Sequence, residues 1–168
     1  DRIYVAAGTC GTLAGLMLGF ALVGLDVEVV GVRVVAPFIA NPHVVASLAN
    51  RAGDILREAG VSDVPSIAAR EVRIDDDFFG EDYGIPTDAG LRARDLMDRT
   101  EGLKLEPTYT AKAFAAIVAH RTELAGRNVL YWHTLSGADL SERIAAADLG
   151  ALPPEYRAWA TAPPQYEA

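Results

Sequence analysis

Two residue types are scarce in this chain, and each scarcity excludes something. A single cysteine, Cys10, rules out an internal disulfide framework and fits a reducing compartment. Only Lys104 and Lys112 among the 15 basic residues are lysines. Basic residues are outnumbered by 23 acidic ones, for a formal net charge of −8. With no basic cluster anywhere, that balance argues against a nucleic-acid or anionic-membrane surface. Long apolar runs are missing as well. Residues 11–25 come nearest, and they are too short to cross a bilayer. No basic n-region precedes them, so they do not read as a signal peptide. The expectation is a soluble, cytoplasmic protein that binds neither nucleic acid nor membrane.

The chain does have apolar residues in the right rhythm. At 168 residues and 51% hydrophobic it holds one domain's worth of core. "RIYVAA" (2–7) reads as a short strand, followed by a small-residue turn and a helix over about 11–23. "VEVVGVRVV" (27–35) is a β-branched run of the kind buried on both faces of a sheet. Asn41 and Pro42 open a helix that Gly60 closes. "AAREVRID" (68–75) is a third strand candidate, and 76–87 a loop by its Gly, Pro and Asp content. Thr87 caps a helix over 88–100, a further helix covers 107–126, and "NVLYWHT" (128–134) is the last strand. Beyond Gly137 the pattern weakens into a proline-rich tail.

Strands alternating with helices predict an α/β fold: three layers, a mostly parallel sheet with flanking helices. The division expected is 1–137 for this layer and 138–168 for a C-terminal helix and tail. Ligands of such sheets sit beyond the carboxyl ends of the strands. Residues 8–12, 80–87 and 134–137 are therefore the segments to examine.

The first of them, Gly8-Thr9-Cys10-Gly11-Thr12, joins a strand to a helix. Unpaired N–H groups and the helix dipole favour an anion there, glycines allow close approach, and two threonines add hydroxyl donors. A tight turn needs the same small residues for packing alone, and both readings stand on this segment by itself. No G-K-[ST] follows, so it is not a nucleotide P-loop, and it is not a clean G-x-G-x-x-G.

With its flanks, "VAAGTCGTLAGLMLGF" resembles the phosphate-binding loop of fold-type II pyridoxal-phosphate enzymes. "DDDFFGEDYGIPTDAGLRARDLMDRTEGLKLEPTYTAKAFAAI" and "NVLYWHTLSG" resemble the branch that holds D-cysteine desulfhydrase and 1-aminocyclopropane-1-carboxylate deaminase. The match runs in order from about residue 2 to about 137.

The resemblance implies pyridoxal 5'-phosphate as cofactor, cradled by Gly8, Thr9, Cys10, Gly11 and Thr12. It places Tyr83 near substrate and cofactor, where the alternative is an aromatic plug in a loop. Tyr109 matches a second tyrosine proposed as an acid–base or nucleophilic group; the alternative is a structural hydrogen bond at a helix start. A phenol of ordinary pKa about 10 needs a cationic or hydrogen-bonded setting to act as a base near neutrality. Thr110 stands where deaminases carry a glutamate facing the pyridine nitrogen and desulfhydrase-like members a threonine. Thr134 is a second hydroxyl near the ring by the same match. These threonines lean the reading toward β-elimination from a D-cysteine-like amino acid. Three departures crowd the pocket: Cys10 for a small residue, Ala111 for the glycine of Y-T-G-K-A, and Leu135-Ser136 in "HTLSG" for "HTGG". Cys10 is expected as an inert small residue, tolerated there if its φ is negative.

The family's Schiff-base lysine lies upstream of the phosphate loop. Lys104 is off that position, and Lys112 reads as a surface or supporting cation. The expectation is therefore the C-terminal half of a split enzyme. A separate N-terminal-half polypeptide supplies the lysine, and the assembled unit forms a dimer or higher oligomer. A repurposed enzyme catalysing β-replacement or cyclisation, and a non-catalytic binding subunit, are the alternatives.

Overall fold

Apolar side chains alternate along β1 (Arg2–Ala7), and the two sets they form face opposite ways. In the computed structural model, which describes residues 1–136 and 138–162, β1 lies inside a four-stranded sheet with β2 (Glu28–Arg33), β3 (Arg73–Asp75) and β4 (Val129–Tyr131). The order is β3-β2-β1-β4 and all the pairings are parallel. Ile3 pairs with Val29 and Tyr4 with Val30, so like faces align. Ile3, Val5, Ala7 and Val29 join Leu13 and Leu18 of α1 (Gly11–Leu22) and Val45 and Ala49 of α2 (Pro42–Glu58) in one core. Tyr4, Val30 and Val32 pack instead on Ala113 and Ala116 of α4 (Thr110–Ala119). Behind α4 lies α3 (Asp88–Glu101). The result is the expected three layers, with burial of each large apolar side chain contributing about 1.5–3 kcal/mol.

Gly31 sets how closely α1 approaches this sheet. A Cβ there would overlap Cδ2 of Leu13 and lie 3.2 Å from the Ala7 Cβ. Only a glycine lets the first turn of α1 settle on the strand ends.

Local chemistry explains the helix starts. The Asn41 side chain accepts from His43 N and Val44 N, both at 3.1 Å, with Pro42 at the first helical position. Thr87 Oγ1 accepts from Gly90 N at 3.1 Å. Other boundaries differ from expectation. Segment 68–75 spends a helical turn on Ala69–Glu71 before β3 begins. The helix expected over 107–126 is confined to α4. It gives way to turns where His120 reaches Asp75 and Glu123 reaches the buried Arg2, at 2.9 and 2.7 Å.

Residues Asp1–Leu135 form one compact unit and Ser136–Ala168 a second. The second carries α5 (Ser141–Ala145), a helical turn at Leu149–Ala151 and α6 (Pro154–Thr161), none with a buried residue. Gly137 and the last part of the expected tail, 163–168, lie outside the described residues. Among the described residues no helix is long and apolar enough to cross a membrane.

Candidate active site

The parallel strands all deliver their carboxyl ends to one edge of the sheet, and the turn between β1 and α1 sits there. Thr9, Gly11 and Thr12 are exposed, while Cys10 is buried beneath them, 3% exposed. No side-chain oxygen caps α1 and its first turn has no acidic residue. A Cβ on Gly11 would meet nothing within 4 Å. The turn is thus an open set of backbone donors at the positive end of a helix, flanked by two hydroxyls. That donor set fits a phosphate.

Cys10 corrects one expectation. Its φ is 66°, in the left-handed region, not negative. Such a backbone costs a residue with a Cβ about 1–2 kcal/mol, which is why glycine suits this position. Burial pushes the thiol pKa up, and Sγ lies 3.6 Å from the Gly8 carbonyl oxygen. The thiol is protonated and shielded, as the inert reading requires.

Gly8 brings the turn against the second set of residues. A Cβ on Gly8 would lie 3.2 Å from Cε1 of Tyr109, so the missing side chain is the space the Tyr109 ring fills. Tyr109 stands at the N-cap of α4, and Tyr83 hangs from the loop before α3, 54% exposed. Their hydroxyls are hydrogen-bonded to each other, with the rings edge to face at 6.0 Å and 72°. The bond to Tyr83, then burial, then the charges of Tyr83 and Glu106 push the Tyr109 phenol up to about 12. A hydrogen-bonded setting was expected to help make it a base; this one does the reverse. Tyr109 keeps its proton at neutral pH, and either phenol can donate in the bond they share.

Thr110 follows directly but is buried, and its hydroxyl is occupied. Oγ1 accepts from Glu106 N at 2.9 Å and donates to Glu106 O at 3.2 Å. Thr134 is exposed, three residues beyond Tyr131 as Ala7 is three beyond its partner Tyr4. β4 ends at Tyr131, where His133 N turns back onto Tyr131 O at 3.1 Å, and the Thr134 hydroxyl bonds no other described residue.

Three further residues shape the site and were not singled out from the sequence for these roles. The Glu106 carboxylate accepts from Thr108, Tyr109 and Thr110 N at 2.8, 2.7 and 2.5 Å, fastening the start of α4. Its place three residues before Tyr109 in "EPTYT" was the available signal, though Glu is not among the preferred caps. Tyr131 donates from its hydroxyl to Thr110 O at 2.8 Å, and burial raises its phenol pKa. Lys112 is fully buried and donates to Phe79 O at 2.7 Å, which excludes the surface alternative and leaves the supporting one.

Comparisons with known proteins bear on the family and the fold. The profile of the family described as pyridoxal-phosphate dependent enzyme matches residues 1–134. D-cysteine desulfhydrase of Salmonella schwarzengrund is 36% identical over 119 residues, 70% of this chain and 34% of the relative. The Salmonella typhi D-cysteine desulfhydrase is 35% identical over the same shares. Among solved structures, a crystal structure of an ACC deaminase homologue matches with a TM-score of 0.63 and 30% identity, covering 78% of this chain and 38% of that one. The chain spans about a third of the length of the curated relatives it matches.

Proposed function

The chain belongs to the pyridoxal-phosphate dependent enzymes, and from that premise we propose that it is the C-terminal part of a lyase acting on a small amino acid. The reaction is β-elimination of the kind named by its desulfhydrase relatives. The cofactor-bearing lysine belongs to a part of the enzyme outside residues 1–168. The observation that carries the reading is the meeting of the open donor turn with the tyrosine pair, where the Tyr109 ring fills the space beside Gly8.

The first turn of α1 with Thr9 and Thr12 would bind the cofactor phosphate, and Thr134, exposed beyond the end of β4, carries the hydroxyl that the family resemblance sets near the ring. When bound, the cofactor supplies the electron sink that stabilises negative charge at the substrate α-carbon. Tyr109 holds a proton on its hydroxyl oxygen at neutral pH and can pass it to a departing thiolate. Tyr83 keeps that hydroxyl oriented and lies exposed on the substrate side of the loop.

Surface features support a completing half. α1 contains no charged residue, and nothing lies within 4 Å of where Cβ atoms would stand on Gly15 and Gly19. A helix apolar all round suits burial on more than one side. On the sheet edge formed by β4, Leu130 is exposed and Trp132 follows exposed. The chain's own lysines are poorly placed to carry the cofactor. Lys112 is enclosed, and Lys104 is paired with Asp98 at 2.7 Å at the end of α3.

Borohydride reduction of the natively purified protein, followed by mass spectrometry, tests this. The expected result is cofactor fixed to a lysine outside residues 1–168, with sulfide released from D-cysteine before reduction. Cofactor fixed to Lys104 or Lys112 would overturn that assignment of the lysine. No fixed cofactor would favour a non-catalytic binding subunit. Fixed cofactor without sulfide release would move the reaction to β-replacement or cyclisation.

A further inference from the structure

Lys112 is the one lysine of this chain that water does not reach, and burying an ammonium is unfavourable unless it is bonded. Its Nζ donates to the Phe79 carbonyl at 2.7 Å and stands 5.6 Å from the Phe79 ring centroid. Its stem packs between α3 and α4, with Cγ 3.7 Å from where a Gly90 Cβ would be. Burial pushes the ammonium pKa down, while the Glu106 and Asp82 carboxylates act to raise it.

The geometry of the attachment is what matters. Lys112 lies one helical turn beyond Tyr109, and Phe79 lies four residues before Tyr83. Among the described residues, two hydrogen bonds tie residues 79–86 to the Tyr109–Ala119 segment. One runs from Lys112 Nζ to Phe79 O, and the other joins the Tyr83 and Tyr109 hydroxyls. Together with the two stretches of backbone they close a ring. The loop itself has no strand or helix between residues 76 and 87, and Gly80 and Gly84 flank Tyr83 at φ 81° and 78°. Such a segment holds a phenol in place only if it is fastened from outside.

We propose that Lys112 is a positioning residue for the Tyr83–Tyr109 pair: by holding the Phe79 carbonyl it fixes the loop that presents Tyr83 to the Tyr109 hydroxyl. The proposal rests on the reading of those tyrosines as the groups that meet the substrate. It explains why a lysine is enclosed in α4 where an apolar residue would pack at less cost.

The test reads Tyr109 directly, in the purified full chain without added cofactor, by titrating 13C-labelled tyrosines by NMR. A Tyr109→Phe variant assigns the signal. Two variants, Lys112→Met and Lys112→Ala, remove the ammonium, and Lys112→Arg keeps a cationic donor. If Lys112 positions the loop, Met and Ala lose the phenol–phenol bond. Tyr109 then titrates below about 12, toward the ordinary value near 10, a ten- to hundredfold rise in its acid constant. The Arg variant stays close to wild type. Simple removal of a positive charge acts in the opposite direction, because it disfavours a phenolate. A folded Met or Ala variant in which Tyr109 titrates at or above the wild-type value therefore overturns the proposal. Variants that fail to fold at all would overturn it too, by assigning Lys112 to stability instead. Because no cofactor is present, this outcome is independent of whether pyridoxal phosphate is fixed by borohydride.

Discussion

At Cys10 the usual order of glycine and alanine should invert. Its φ of 66° costs any residue with a Cβ about 1–2 kcal/mol. At an ordinary position alanine is favoured over glycine by about 0.4–1 kcal/mol, because it leaves the unfolded chain less freedom. Subtracting one from the other, Cys10→Gly should be more stable than Cys10→Ala by about 0.5–1 kcal/mol. Relative to wild type, both lose the sulfur of a buried residue, a loss of roughly 1 kcal/mol. The glycine variant recovers that by shedding the strain and should be near neutral. The alanine variant keeps the strain and should fall about 1 kcal/mol below wild type. Urea unfolding reads the difference: at a slope of about 2 kcal/mol/M, the two midpoints should stand roughly 0.25–0.5 M apart. Phosphate affinity should be the same in both, since the donors are backbone N–H groups. An alanine variant as stable as the glycine variant would refute a left-handed backbone at residue 10.

Other consequences can be measured alongside. Tyr83→Phe should lower the Tyr109 pKa from about 12, leaving burial and Glu106 to hold it above the ordinary value. The linked stability has a definite sign: an acid whose pKa is raised by folding contributes fully below pH 10 and loses that contribution as pH rises through 12. The decline between those values should be shallower in Tyr83→Phe, as urea unfolding at several pH values would reveal. Gly31→Ala should destabilise by about 1–3 kcal/mol and weaken phosphate binding, because Leu13 must move and carries the first turn of α1 with it. An unchanged midpoint there would mean that α1 does not sit against β2 as described. Glu106→Ala should cost about 1–2 kcal/mol by stripping acceptors from the start of α4, measured by the same unfolding transition.

Much of this architecture could be read from residue order. Alternation in 2–7, the β-branched run at 27–35, Asn41-Pro42 and Thr87 each signal an element through local chemistry, and each element forms there. The features that escaped depend on neighbours distant in sequence. Lys112 looks like a surface lysine until α3 and the Phe79 carbonyl enclose it. The Thr110 hydroxyl looks available until Glu106 folds back to occupy it. Cys10 gives no sign of its backbone angle, because only the path from β1 into α1 sets φ. The end of α4 is likewise decided by His120 and Glu123 finding Asp75 and Arg2, which are remote in the chain.

The central claim is that the turn after β1 holds the phosphate of pyridoxal phosphate. Titrating the 15N-labelled protein with pyridoxal phosphate, and separately with pyridoxal lacking the phosphate, tests it most directly. The largest amide shifts should fall on Gly8 to Leu13, should be lost with pyridoxal and should be reversed by inorganic phosphate. Shifts centred elsewhere, or equal shifts with and without the phosphate, would contradict the account.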